Sequence, residues 1–274
     1  MTTMLRAIAA LVAGCALPLL AVVPAMAEDP PVPAERPSVL AEEPPVQAER
    51  PPVQAAQPPV QAERPPAEAE EETVTILRPG TRGEMVKLLQ QRLRDHGFYY
   101  GAMNGKYDVQ TRYAVWAFQK TRRMRPMSAV GPKVWQELDR PRRLRPLVPD
   151  GPADRVEINL TDQLLTVYRR RRPVLTSHVS TGANVHYCEK GHCGNAITPV
   201  GDFRVYRREP GWTKSPLGEM FNSLYFAGGI AMHGSSVVPT KPSSHGCVRV
   251  PVPTAVRLYK MVGIGEPVYV RGKS

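Results

Sequence analysis

The string Ser243-Ser244-His245-Gly246-Cys247-Val248-Arg249 brings a thiol, an imidazole, a glycine and a guanidinium together. A second imidazole, His233, stands 14 positions before the thiol, at the end of Gly229-Ile230-Ala231-Met232-His233. A free thiol is a weak nucleophile at neutral pH because little of it is ionised. A nearby imidazole can take its proton and stabilise the thiolate. Gly246 lets the backbone approach closely, so amide N–H groups near Cys247 could hold a developing oxyanion. Ser244 belongs to the same turn and would shape it. Arg249 offers a planar fork for a substrate carboxylate. Such residues carry out acyl transfer through a covalent thioester. Spacing alone is equally compatible with a buried inert thiol and hydrogen-bonded structural histidines.

Cysteine arithmetic bears on the choice. Beyond residue 27 the chain has three cysteines, Cys188, Cys193 and Cys247, so at least one has no partner within the chain. Cys188 and Cys193 lie five apart in the loop His186-Tyr187-Cys188-Glu189-Lys190-Gly191-His192-Cys193. A small disulfide is the first reading of that loop; free thiols and a metal site are the others. Cys247 is the thiol left over. No cofactor and no metal are assigned.

The elements that position these residues belong to residues 153–272, where apolar residues recur with period two. Val156, Ile158 and Leu160 alternate with polar neighbours, and 164–168 follows after a turn. Arg169 to Arg172 read as a hairpin tip. Segments 174–180, 201–206, 229–233 and 267–271 also read as strands, and 253–261 as a helix. Residues 212–226, with Met220 and Tyr225, are expected to form a lid or wall of the cleft. The expectation is a mainly β, sandwich-like domain.

Residues 73–140 have helical spacing instead. Val86, Leu89, Gln90 and Leu93 share one face, with Gly97 as a left-handed cap. A second helix runs over 108–121 through Thr111, Val115 and Phe118. A third starts at Pro132 and carries Val134, Trp135 and Leu138. Residues 141–152 form a Pro/Arg linker. The fold class is multidomain: a small three-helix module, then an all-β domain.

The N-terminus sets the compartment. Arg6, the apolar stretch 7–23 and Ala25-Met26-Ala27 read as a secretory signal peptide over 1–27. A lipoprotein anchored through Cys15 is the lesser alternative. Residues 28–72 carry a seven-residue repeat of the type PPVQAER over 30–71. Proline in every repeat excludes a coiled coil, so an extended, disordered stalk is expected, on the order of 130 Å at full reach. No apolar run is long enough for a stable internal membrane span.

The chain of 274 residues carries a formal charge of +11, unevenly spread. Residues 28–72 hold 11 acids and 3 bases, whereas 73–274 hold 32 bases and 14 acids, net +18. That basic half favours an acidic partner. Export, and the lack of stacking aromatics in a basic stripe, exclude nucleic acid. Wall polymers, including anionic ones, and peptide carboxylates remain.

Two family resemblances sharpen this. Leu77-Arg78-Pro79-Gly80, Val86-x2-Leu89-Gln90-x2-Leu93, Gly97-Phe98-Tyr99-Tyr100-Gly101, Asn104-Gly105-x-Tyr107 and Ala114-Val115-x2-Phe118-Gln119 resemble the peptidoglycan-binding type 1 family. His233-Gly234, Ser244-His245-Gly246-Cys247-Val248-Arg249, Ser180-Thr181-Gly182, Thr198-Pro199-x-Gly201-x-Phe203 and Gly228-Gly229-Ile230-Ala231 resemble the L,D-transpeptidase (YkuD-type) catalytic domain. The resemblance implies cross-linking of peptidoglycan stem peptides with release of D-alanine, Cys247 as nucleophile and His233 as general base. His245, a competing base by position, is assigned to shaping the site. Some members have Ser after the first histidine; Gly234 stands here and keeps the orienting carbonyl. The loop 186–193 is an insertion relative to the family pattern. Water as acceptor would make the enzyme an L,D-carboxypeptidase. A protein that only binds cell wall is the remaining alternative.

Overall fold

The computed structural model describes residues 76–140 and 144–273. The expected signal peptide, Cys15 and the repeat stalk lie outside the described residues. The chain divides into two units, 1–67 and 68–274, and all described residues belong to the second.

Three helices open this unit: α1 (Glu84–Asp95), α2 (Val109–Thr121) and α3 (Pro132–Leu138). α1 buries Val86, Leu89, Gln90 and Leu93, the face expected from their spacing. It ends where Gly97 takes φ +77. There the Phe98 N–H reaches Leu93 O at 2.8 Å and the Gly97 N–H reaches Arg94 O at 2.9 Å, so two orphan carbonyls are satisfied. α2 starts on Asp108, whose carboxylate accepts from the Thr111 N–H at 2.9 Å. Gln90 is fully buried and ties the module together. Its Nε2 donates to Thr111 Oγ1 and its Oε1 accepts from the Gly105 N–H, each at 3.0 Å.

The β domain contains β1 (Arg155–Asn159), β2 (Leu164–Arg169), β3 (Arg172–His178), β4 (His186–Glu189), β5 (His192–Asn195), β6 (Gly201–Arg204), β7 (Arg207–Ser215), β8 (Gly218–Ala227), β9 (Ile230–Ser235), β10 (Val248–Pro251), α4 (Val252–Met261) and β11 (Pro267–Arg271). One sheet runs β3-β2-β1-β11-β6, a second β10-β9-β8-β7, and β4-β5 is a separate hairpin. Val156, Ile158, Leu165 and Val268 of the first sheet share one core with Leu224, Met232, Val248 and Val250 of the second and with Leu258 of α4. Arg170 and Arg171, both at positive φ, form the β2–β3 tip as expected.

One expectation differs in detail. β1 does not alternate between buried and solvated residues; four of its five residues are buried. Arg155 and Glu157 form an ion pair at 2.7 Å, and Glu157 also accepts from the N–H groups of Leu147 and Val148. The linker residues Leu147 and Val148 therefore cover the second face of β1. The wall segment 212–226 is most of the β7–β8 hairpin, with bulges that interrupt the simple two-residue period.

The helical module packs directly on the β domain. The Thr176 N–H of β3 reaches Gly97 O at 2.9 Å. Lys120 Nζ of α2 donates to Gln163 O and to His178 Nδ1, at 3.1 and 2.8 Å. His178 Nε2 donates to Pro239 O at 3.0 Å, and Tyr113 OH accepts from the Val238 N–H at 3.0 Å. Residues 236–247 join β9 to β10, so α2 braces the connection between the two strands that carry the candidate site.

Candidate active site

β9 and β10 are parallel neighbours, with Val248 beside Met232 and Arg249 beside His233. Cys247 immediately precedes β10 and therefore stands beside Ala231. The Ala231 N–H points at Cys247 Sγ across 3.4 Å. Side chains two apart on a strand share a face, so Ala231 and His233 face the same way, as do Cys247 and Arg249. Tyr225 on β8 pairs with Ala231, and Arg207 on β7 pairs with Tyr225. A row from Arg207 through Tyr225 to Cys247 thus crosses the sheet.

This row floors an open cleft of about 730 Å³ whose lining includes Cys247, His233, Arg249, Tyr225, Ser244 and His245. Met220, Trp212 and Leu217 of the β7–β8 hairpin form one wall, and Tyr187, His192 and Asn195 of the β4–β5 hairpin contribute another. The expected site residues come together here. Gly234 and Gly246 are next to the lining residues His233 and Cys247 in the chain.

His233 is 4% exposed. Its Nδ1 lies 3.0 Å from Gly234 O. A carbonyl only accepts, so Nδ1 carries the proton and Nε2 keeps its lone pair. Burial pushes the imidazole down to about 4; the Gly234 carbonyl partly offsets this and Arg249 adds to it. Burial pushes the Cys247 thiol up, while the Ala231 N–H and Arg249 pull the other way. Arg249 is itself lowered by burial.

The turn before Cys247 is stitched through Ser243, Ser244 and Gly246. The Ser243 and Ser244 N–H groups both donate to Thr181 O at 2.9 Å, and Ser244 O accepts from the Ala183 N–H at 2.9 Å. Ser244 Oγ donates to Cys247 O and accepts from the Gly246 N–H. Thr198 Oγ1 donates to Gly246 O at 2.6 Å and accepts from the Gly182 N–H at 2.9 Å. The Gly246 amide is thus occupied within the turn, and Gly246 serves the site through its shape. Its φ is +130, and a Cβ there would lie 2.9 Å from Ile197 O.

Cys188 and Cys193 are bonded to each other, with an S–S length of 2.05 Å. The sulfurs that the metal reading of this loop required are bound to one another. Among the described residues Cys247 is the free cysteine, and it is half-buried. His245 Nε2 lies 3.2 Å from Glu189 Oε1, and its ring packs edge-on against Tyr187 at 4.6 Å.

Sequence reasoning singled out the loop that carries Tyr187, Glu189 and His192 but did not place these side chains at the cleft, and it did not single out Arg207. A signal for the first three was present. Cys188 and Cys193 are symmetric about Lys190-Gly191, which take φ 50 and 79, a two-residue hairpin turn. Arg207 had no comparable signal, because its place is set by pairing with β8.

Residues 153–270 match the family described as L,D-transpeptidase catalytic domain. The chain is also similar to the crystal structure of an L,D-transpeptidase (residues 123–326) from Xylanimonas cellulosilytica. The two are 37% identical, with 76% of this chain and 100% of that chain covered and a TM-score of 0.67. The chain belongs to the L,D-transpeptidase family. The transpeptidase also shows likeness to an L,D-transpeptidase from Stackebrandtia nassauensis, at 22% identity, 72% and 95% coverage and a TM-score of 0.40. For L,D-transpeptidase 1 from Mycobacterium tuberculosis the values are 22%, 44% and 63%, and 0.33. No curated protein matches the chain. Residues 82–138 match the family described as putative peptidoglycan binding domain. The protein is therefore an L,D-transpeptidase enzyme whose partner is peptidoglycan, associated with the cell wall. No helix among the described residues is long and apolar enough to cross a membrane.

Proposed function

We propose that the transpeptidase works through a Cys247 acyl-enzyme on peptidoglycan stem peptides. The observation that carries this reading is the placing of a free Cys247 and of His233 at two neighbouring parallel strands, both lining one open cleft. His233 Nε2 takes the thiol proton as Sγ attacks the carbonyl between the L-centre of a diamino acid and a terminal D-alanine. The C–S bond forms, the C–N bond breaks, and His233 returns the proton to the departing D-alanine amine. A side-chain amine of a second stem then displaces Cys247 and leaves a cross-link. The Ala231 N–H is a donor aimed at the reacting sulfur, and Arg249 is the cation for a stem carboxylate. Tyr225 and Met220 line the stem's path.

Residues 1–27 are proposed to direct export and 28–72 to give reach. The disulfide in the β4–β5 hairpin suits an oxidising compartment. Residues 73–140 are proposed as the wall-binding module, 141–152 as linker and 153–272 as catalytic domain. The net +18 of residues 73–274 supports adhesion to anionic wall polymers, an attraction that salt would screen.

Incubating the protein with a tetrapeptide stem and separating the products tests this function. Free D-alanine with a cross-linked dimer is expected. Free D-alanine with only a shortened stem would identify an L,D-carboxypeptidase. Wall binding without D-alanine release would leave a binding protein.

A further inference from the structure

The β4–β5 hairpin is attached to the Cys247 turn at its base and near its tip. At the base, Asn184 N–H donates to Ala196 O and Ala196 N–H to Val185 O, at 2.9 and 2.8 Å. The neighbouring Ala183 and Thr198 bond to Ser244 and Gly246. Near the tip, Glu189 pairs with His192 across the hairpin and holds His245 Nε2. The disulfide joins the pair next to it, Cys188 with Cys193. The sheet order β10-β9-β8-β7 puts Arg207 at the far end of the row from Cys247. The hairpin, bonded to the turn that precedes β10, therefore stands on the other side of the thiol from the β7–β8 wall.

A transpeptidase needs something on each side. The donor presents a carbonyl. The acceptor presents a primary alkyl amine, which is an ammonium near neutral pH (an alkyl amine of this type loses its proton at about 10.4). An ammonium has no lone pair, so it must lose one proton before attack and a second as the amide forms. His233 is neutral after acylation and can take only one of them.

We propose that the disulfide-closed hairpin builds the acceptor side of the site, with Glu189 holding His245 in place to take the first proton from the incoming ammonium. This rests on the acyl-enzyme reading above. Nε2 of His245 donates to Glu189, leaving Nδ1 to accept. The Glu189 carboxylate, 55% exposed, fixes the ring and faces the charge that the ring gains. The freed amine attacks the thioester: the C–N bond forms and the C–S bond breaks. The second amine proton passes to His233 and on to the Cys247 sulfur, while His245 releases its proton to water. His245 is a catalytic residue in this scheme, and Glu189 is a positioning residue.

Competition between two nucleophiles tests it. The full-length protein is acylated with a tetrapeptide stem in the presence of a tripeptide stem carrying a side-chain amine and of hydroxylamine, which is uncharged at neutral pH. The ratio of cross-linked amide to hydroxamate divides out any change in acylation. Glu189→Gln is expected to lower this ratio about tenfold, and His245→Gln about a hundredfold. The double variant Cys188→Ser/Cys193→Ser, which frees the hairpin, should move it in the same direction as Glu189→Gln. An unchanged ratio in Glu189→Gln and His245→Gln, including one in which both products fall together, overturns the proposal. Failure of the parent protein to release D-alanine would instead overturn the acyl-enzyme reading, and this proposal with it.

Discussion

At neutral pH, Cys247 and His233 rest as an uncharged thiol beside an uncharged imidazole. Burial raises the first and lowers the second to about 4. The imidazole is therefore already a base, and the proton moves when the thiol attacks. His233 stays neutral until the pH approaches 4, so the acid limb of kcat/KM should fall there. A limb near the ordinary histidine value of about 6.5 would contradict this. His233→Gln should lower D-alanine release by about 10²- to 10⁴-fold. Gly246→Ala should impair activity too, because a Cβ meets Ile197 O at 2.9 Å in a left-handed conformation. Its readout is D-alanine release together with Tm, and unchanged values of both would refute it. At this scale the sequence was informative. Cys247, His233, His245, Arg249 and Ser244 all line the cleft. What stayed hidden was the hydrogen-bond economy of the turn. Nothing in the order of residues says that Ser244 Oγ takes the Gly246 amide.

Elements were legible where burial follows one face. The α1 stripe of Val86, Leu89 and Leu93 is such a case, as is the β2–β3 hairpin. β7 was hidden because its sequence, RREPGWTKS, is polar and holds Pro210-Gly211 where its ladder breaks. It is a strand because β8 pairs with it. β10 was hidden because only four residues separate the Cys247 turn from α4. The glycine after His233 acquires a packing reason at this scale. A Cβ on Gly234 would sit 2.9 Å from Ala255 Cβ of α4 and 3.1 Å from Phe221 Cβ. Any side chain there would push against α4. Gly234→Ala is expected to cost about 1–3 kcal/mol, and Ala255→Gly in the same protein should recover part of it. Denaturant unfolding measures both. Additive losses would show that the contact is not the cause.

Across the whole molecule, the helical module and the β domain form one packed unit, although the sequence divides sharply in composition and period between them. The join is a set of polar contacts among side chains far apart in sequence, so no local pattern announces it. His178 is central. Burial pushes it down to about 3, the nearby Lys120 lowers it further, and the carbonyls of Val238, Pro239 and Gln163 partly offset both. Burial likewise lowers Lys120 to about 7. For a histidine held low in the fold, the unfolded chain binds more protons between the two values. The stability from His178 is therefore complete above about 6.5 and lost as the pH falls towards 3. Tm should drop on acidification across that window, and less steeply in His178→Gln. An equal slope in both proteins would place the acid sensitivity elsewhere. Because Tyr113 and His178 both hold residues 236–243, Tyr113→Phe, which leaves the Val238 amide unpaired, should lower Tm by loss of about 1–3 kcal/mol.

Intact-mass spectrometry of the full-length protein, incubated with a tetrapeptide stem, bears most directly on covalent catalysis. An added mass equal to the stem less D-alanine, located on Cys247 and absent from Cys247→Ala, is the expected result. D-Alanine release by Cys247→Ala at the parent rate, with no adduct on either protein, would contradict it.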